Sequence, residues 1–117
     1  MKTIEKVKQE MAELEEADKK VDSPGVGQHR RKRQHKINIH RYEFLRSVLL
    51  LLEHNPTEAF LESQREEIES RIKVISDRYL SYIEDRARVN VTKVQYMKKM
   101  EVPELRKQLK NLNYILN

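Results

Sequence analysis

The most chemically distinctive residues of this chain are the cations between Asp22 and Arg46. That span holds seven basic and two acidic residues, a difference of +5 that equals the formal net charge of the whole chain. Lysine and arginine neutralise phosphates and release counterions, which gives affinity for nucleic acid without reading its sequence. The residues that we expect to contact nucleic acid are Arg30, Arg31, Lys32, Arg33, Lys36, Arg41 and Arg46.

Two other interpretations of this basic run remain open. It could dock on an acidic protein surface, or it could serve only solubility. The middle of the chain, residues 47–88, carries six basic and nine acidic residues, and it could pair with basic segments of its own chain or of a neighbour. The cations expected to assist on the C-terminal side are Lys93, Lys98, Lys99, Arg106, Lys107 and Lys110.

The sequence indicates no catalytic chemistry. The histidines lack the i,i+4 spacing of a zinc protease, and Gly25 and Gly27 lack the rest of a phosphate-binding loop. With no cysteine in the chain, thiol catalysis and Cys-ligated metals are excluded. We therefore expect a non-enzymatic protein without cofactor, metal or small-molecule substrate. We interpret the histidines as solvated or phosphate-facing; they are His29, His35, His40 and His54.

The chain begins without an apolar signal region, and its longest apolar run, residues 48–52, is too short to cross a bilayer. We expect no membrane partner and a cytoplasmic, intracellular location. Charged residues make up 37% of the chain and there are only two glycines and three prolines. This composition favours helix.

An N-terminal helix is predicted over residues 2–20. Its apolar residues Ile4, Val7, Met11 and Leu14 lie at spacings of three, four and three, the rhythm of a coiled-coil seam. A helix this short is marginal alone. It therefore needs a partner, either the rest of the chain or another copy.

A flexible basic linker is predicted over residues 22–37, because Pro24, Gly25 and Gly27 disfavour helix there. The second helix is expected to begin near Asn38, a plausible N-cap. Its C-terminal half is apolar on most sides, which predicts a central, buried helix.

The segment from His54 to Glu58 predicts a sharp turn between two helices. Asn55 can cap the next helix, Pro56 suits its first position and Glu58 completes a capping box. The third helix should then extend to about Arg88, roughly 50 Å at 1.5 Å per residue. That is about twice the length of helix two, so its distal half needs another cover: helix one, the C-terminal helix or a second chain.

This mismatch in length predicts an elongated or oligomeric protein. The residues expected at the interface between copies are Ile4, Val7, Met11, Leu14, Ile75, Tyr79, Tyr82 and Ile83.

A break is predicted at residues 89–92, after which Thr92 and Gln95 form a second capping-box pattern. It would open a short helix with Val94, Met97 and Met100 inward; a continuous helix through Met100 is the alternative. Pro103 should open the last helix. The apolar face of that helix is expected to hold Leu105, Leu109, Leu112 and Leu116.

Together these patterns predict an all-α protein: an antiparallel helical hairpin with a long central helix, flanked by an N-terminal coiled-coil-like helix and a short C-terminal helix. The expected division is a helix at 1–21, a linker at 22–37 and a hairpin core at 38–117. The leading hypothesis for function is a homo-oligomer that binds DNA or RNA largely without sequence specificity. The alternative is an adaptor of a larger assembly whose basic arm docks on an acidic protein surface.

Overall fold

The computed structural model describes residues 1–22, 24–25, 27–84 and 91–117, and every regular element among them is helical. The prediction of an all-α fold is confirmed. The chain divides into two compact units, Met1–Pro56 and Thr57–Leu116. The helices are α1 (Ile4–Lys20), α2 (Gln28–Leu52), α3 (Glu58–Glu84), α4 (Val91–Tyr96) and α5 (Val102–Leu116), with a π-helical turn (Met97–Glu101) between α4 and α5.

In the first unit, α1 packs along α2. The hydroxyl of Thr3 caps α1 by accepting a hydrogen bond from the backbone N–H of Lys6 at 3.2 Å, which satisfies one of the free donors of the first turn. Val7 is fully buried, and the other predicted seam residues of α1 are half-buried. The seam of α1 is therefore covered within the chain.

The two helices of this unit are antiparallel. Asp18, near the end of α1, contacts His35 and Asn38 in the first half of α2. Glu10, two turns earlier on α1, forms an ion pair with Arg41 at 3.6 Å. Earlier residues of α1 therefore contact later residues of α2, as antiparallel packing requires.

Helix α2 begins at Gln28, ten residues before the predicted start at Asn38. The prediction of a flexible linker is therefore wrong for residues 28–37, which are helical. The physical reason is that polar residues of α2 continue its contact with α1 beyond the apolar part of the interface. Residues of α2 that are buried or half-buried recur at spacings of four, three, four and three, and they are Arg31, His35, Asn38, Tyr42 and Leu45. A pattern search for apolar residues misses the first three of them.

The turn after α2 lies where the sequence predicts it, but its residues have different roles. Asn55 has a left-handed backbone (φ 52°), which asparagine tolerates better than most residues, and its N–H bonds to the carbonyl of Leu52 at 3.0 Å. Thr57 is the residue that caps α3, because its hydroxyl accepts from the N–H of Phe60 at 3.1 Å. The predicted cap at Asn55 is therefore wrong by two residues.

In the second unit, the C-terminal segments cover the distal half of α3. Ile75 is fully buried in a cluster with Val94, Met97 and Val102. Tyr79, Tyr82 and Leu105 pack against this cluster.

The predicted interface between copies therefore needs correction. Val7 and Ile75 are interior residues of one chain, and Tyr79 and Tyr82 are packed on that interior. Of the residues assigned to α3, Ile83 alone is classed as exposed. The argument from an uncovered helix thus fails, since the chain's own C-terminal segments supply the cover. A homo-oligomer stays a prediction.

The segment before α5 differs from the expected short helix. Residues 85–90 lie outside the described residues, so the predicted break at 89–92 is described only from α4 onward. Val94 and Met97 are buried as expected, but Met100 is exposed. The π-helical turn accounts for this, because one extra residue in the turn rotates the positions that follow.

From the sequence, acidic residues of the middle segment could pair with basic segments of the chain. The ion pair seen in this unit has the opposite polarity. Arg71 of acidic α3 binds Glu101 of the basic C-terminal segment with two hydrogen bonds, at 2.7 and 3.2 Å. Among the C-terminal cations, Lys99, Arg106 and Lys107 form no ion pair within the described part of the chain.

Replacing Ile75 with alanine should lower the free energy of unfolding by about 2–5 kcal/mol, the usual range for truncating a buried aliphatic side chain. Urea denaturation followed by circular dichroism measures it. Ile83→Ala is the matched control on the same helix, and it should cost about 0.5 kcal/mol or less because Ile83 is exposed. Equal losses in the two variants would contradict the packing described for α3.

Candidate nucleic-acid interface

The cations of α2 form an ordered, exposed face. Arg30, Lys32, Arg33 and Lys36 are all exposed, and none of them forms an ion pair within the described part of the chain. Because they are helical, their Cα atoms are fixed relative to one another at about 1.5 Å of rise per residue. Four positive charges therefore lie within two turns of one rigid element.

Two of these cations, Arg33 and Lys36, share their side of the helix with two histidines. His29, Arg33, Lys36 and His40 recur at spacings of four, three and four, which places them on one face of a helix. That face is opposite to the seam with α1, and all four residues are exposed. Arg30 and Lys32 lie on either side of it. Histidines 29 and 40 thus remain on the candidate surface, as the sequence predicts.

The first turn of α2 adds to this positive potential. It contains no acidic residue, and Gly27 precedes it without a side-chain cap. The free N–H groups of a helix N-terminus already carry a partial positive charge, so nearby cations are unfavourable there and anions are favourable. The start of α2 thus combines two sources of positive charge that a bound anion would relieve.

Three predicted contact residues have other environments. Arg31 is half-buried on the side of α2 that faces α1. Arg41 forms an ion pair with Glu10 and lies over the ring of Phe44, 5.0 Å from its centroid. Arg46 lines a groove of about 380 Å³ between α1 and α2, and three carboxylates line it too: Glu15, Asp18 and Glu43. The basic face is therefore smaller than predicted and lies in the first half of α2.

A polar cluster between the two helices holds this half of α2 in place. The Nδ1 atom of His35 lies 2.7 Å from a carboxylate oxygen of Asp18, and its Nε2 atom lies 3.0 Å from one of Asp22. Asn38 donates to the same oxygen of Asp18 at 2.8 Å and accepts from Gln34 at 2.9 Å. Asn38 is the one polar residue buried among the described residues, and its amide is satisfied on both sides.

The imidazole of His35 can make both contacts as a donor only when it is protonated, since a neutral ring donates from one nitrogen. The hydrogen bonds to Asp22 and Asp18 raise the pKa of His35 above its ordinary value of 6.5. Reciprocally, the hydrogen bonds from Asn38 and His35 lower the pKa of Asp18. His35 is thus a structural residue of the seam, and its interpretation as solvated or phosphate-facing is wrong.

The sequence contained a signal for this cluster. Asp18 occupies the next seam position after Leu14, and a carboxylate in a seam requires polar partners on the facing helix. Following the same spacing backwards from Leu45 on α2 reaches Asn38, His35 and Arg31. Reading both seams together would have placed the histidine opposite the aspartate.

The described residues offer neither a metal site nor a membrane-spanning helix. They contain no group of three or more histidine, aspartate or glutamate side chains that could hold a metal ion. Nor does any helix among residues 1–22, 27–84 and 91–117 have the length and apolar character needed to cross a membrane.

Comparison with protein-family models, curated proteins and solved structures found no match for this chain. The function therefore has to be argued from the basic face and the elements that hold it.

The cluster around His35 predicts a pH-dependent stability with a defined sign. A raised pKa contributes stability below histidine's ordinary value of 6.5, and that contribution is lost as the pH rises through the raised value. The lowered pKa of Asp18 contributes above about 3.8 and is lost in acid. The melting temperature of the wild type should therefore decline from pH 6 to pH 9 more steeply than that of His35→Gln.

Calorimetric melting of both proteins across this range measures the difference, and substitution of His54, which lies outside the cluster, is the control. Identical pH profiles for the wild type and His35→Gln would rule out the protonated bridge.

Proposed function

We propose that this protein is a non-enzymatic helical protein that binds nucleic acid largely without sequence specificity, through the first half of α2. The binding surface consists of Arg30, Lys32, Arg33 and Lys36, with His29 and His40 on the same face. These side chains contact the phosphates of DNA or RNA. The binding energy comes mainly from counterion release and depends strongly on salt.

The observation that supports this proposal is the lack of internal partners for the four cations. An arginine or lysine that pairs with the protein's own carboxylates contributes little to binding a polyanion. These four have no such pair among the described residues, although acidic α1 packs on the same helix. Two carboxylates of α1 that contact α2 bind other residues, Asp18 with His35 and Glu10 with Arg41.

The surface favours phosphate over base recognition. Long cationic side chains on an exposed helix face suit contacts to the backbone of nucleic acid, whereas sequence reading needs side chains placed against base edges. We therefore expect similar affinities for oligonucleotides of equal length and different sequence.

A second candidate function has its own observation. Ile37 and Ile39 are exposed on α2, at 52% and 54% of their surface, directly after the basic run. Two residues apart on a helix, they lie on opposite sides of the basic face, and aliphatic side chains there suit a protein contact better than a phosphate contact. The alternative is therefore an adaptor whose α2 docks on an acidic protein surface that also offers an apolar contact.

The variant Arg30→Ala, Lys32→Ala, Arg33→Ala, Lys36→Ala should lose most nucleic-acid binding. Each phosphate contact that is removed lowers the slope of log K against log salt by about 1, so the slope should fall by about 3–4. Alanine preserves helix propensity, and circular dichroism should show unchanged helix content. Fluorescence anisotropy with a labelled oligonucleotide at about 50 and 200 mM salt measures both affinity and slope.

The matched control removes the same number of charges elsewhere, by Lys6→Ala, Lys8→Ala, Lys73→Ala and Arg78→Ala. It should bind nearly as well as the wild type. Equal losses in the two variants would mean that only net charge matters. A wild type that does not bind at low salt would eliminate nucleic acid and favour the adaptor, for which Ile37→Ser and Ile39→Ser become the informative variants.

A further inference from the structure

Helix α5 has two chemically distinct faces. Val102, Leu112 and Ile115 are buried and Leu105 and Leu109 are half-buried, at spacings that keep all five on one side of a helix. The cations of α5 lie on the other side. They are Arg106, Lys107 and Lys110, all exposed, and Lys99 of the π-helical turn is exposed as well.

The two acidic residues of the C-terminal segment do not neutralise this face. Glu101 is held by Arg71 of α3 through two hydrogen bonds. Glu104 lines a groove of about 530 Å³ with Tyr96, Met100 and Leu105, and it forms no ion pair with Lys107, one turn later, in the described part of the chain. Residues 91–117 carry six basic and two acidic residues, and neither acid forms an ion pair with Lys99, Arg106 or Lys107 in the described part of the chain.

The acidic residues of α3 do not neutralise it either. Lys99, Arg106 and Lys107 form no ion pair or hydrogen bond within the described part of the chain. The second unit therefore presents its own unpaired cationic surface, separate in sequence from that of α2 and built on a different pair of helices.

We infer that α5 and the turn before it carry a second phosphate-binding face, formed by Lys99, Arg106 and Lys107, so that one chain holds two nucleic-acid segments at once. The inference rests on the proposed function, since the same phosphate chemistry serves both faces. Its consequence is a bridging activity: each compact unit binds its own segment, and the covalent link between the units joins the two.

A two-step capture experiment tests this with the full chain. A short duplex is immobilised, the protein is bound at low salt and washed, and a second, fluorescent duplex of unrelated sequence is then added. The wild type should retain the second duplex. The variant Lys99→Gln, Arg106→Gln, Lys107→Gln should bind the first duplex within about twofold of the wild type through α2 but retain at least about tenfold less of the second.

Two further variants separate charge from structure. Lys99→Arg, Arg106→Lys, Lys107→Arg keeps every charge and should bridge like the wild type. Arg65→Gln, Lys73→Gln, Arg78→Gln removes three charges from α3 of the same unit and should also bridge. If the wild type binds the first duplex but never captures the second, or if the α5 variant captures it undiminished, the second face is refuted and α2 binding stands. If the wild type fails to bind the first duplex, the proposed function itself fails.

Discussion

The contact of Asp18 with His35 and Asn38 is the constraint on which the arrangement of charge in this protein depends. It lies where the apolar seam of α1 ends, and it continues that seam with hydrogen bonds instead of buried carbon. A buried amide opposite a carboxylate also fixes register, since no neighbouring pairing satisfies both groups. The residues of α2 at this point of the seam, His35 and Asn38, are polar, so hydrogen bonds to Asp18 take the place of apolar packing there.

This polar docking changes what the basic run can do. On a flexible tether, each cation would lose conformational entropy when it bound a phosphate. On a docked helix the backbone part of that loss has already been met by folding, and the charges keep a fixed spacing. The same docking turns Arg31 toward α1, so helix formation also decides which cations remain available. The exposed basic face therefore holds fewer cations than the whole basic run, but their spacing is fixed by the helix.

Helices with strong apolar periodicity could be predicted from the sequence, whereas the start of a helix that depends on polar contacts could not. The seam of α1, the turn near Asn55 and the apolar face of α5 follow local rules. The start of α2 does not, because its seam residues are polar and its glycines suggest a linker. The sequence left three covers open for the distal half of α3, the C-terminal helix among them. It could not choose between them, since the packing around Ile75 depends on a π-helical turn that no local pattern predicts. Four of the seven predicted contact residues, Arg30 and its neighbours, lie on the unpaired face.

The most direct test of the central claim is to map the binding surface on the intact protein. Isotope-labelled chain is titrated with a short oligonucleotide at low salt, and backbone amide shifts are followed by NMR. Our account predicts that the largest changes fall on the exposed positions of the first half of α2, with Asp18 and Asn38 still in contact across the seam. Changes that concentrate on acidic α3, or that report the melting of residues 28–37 on binding, would contradict it.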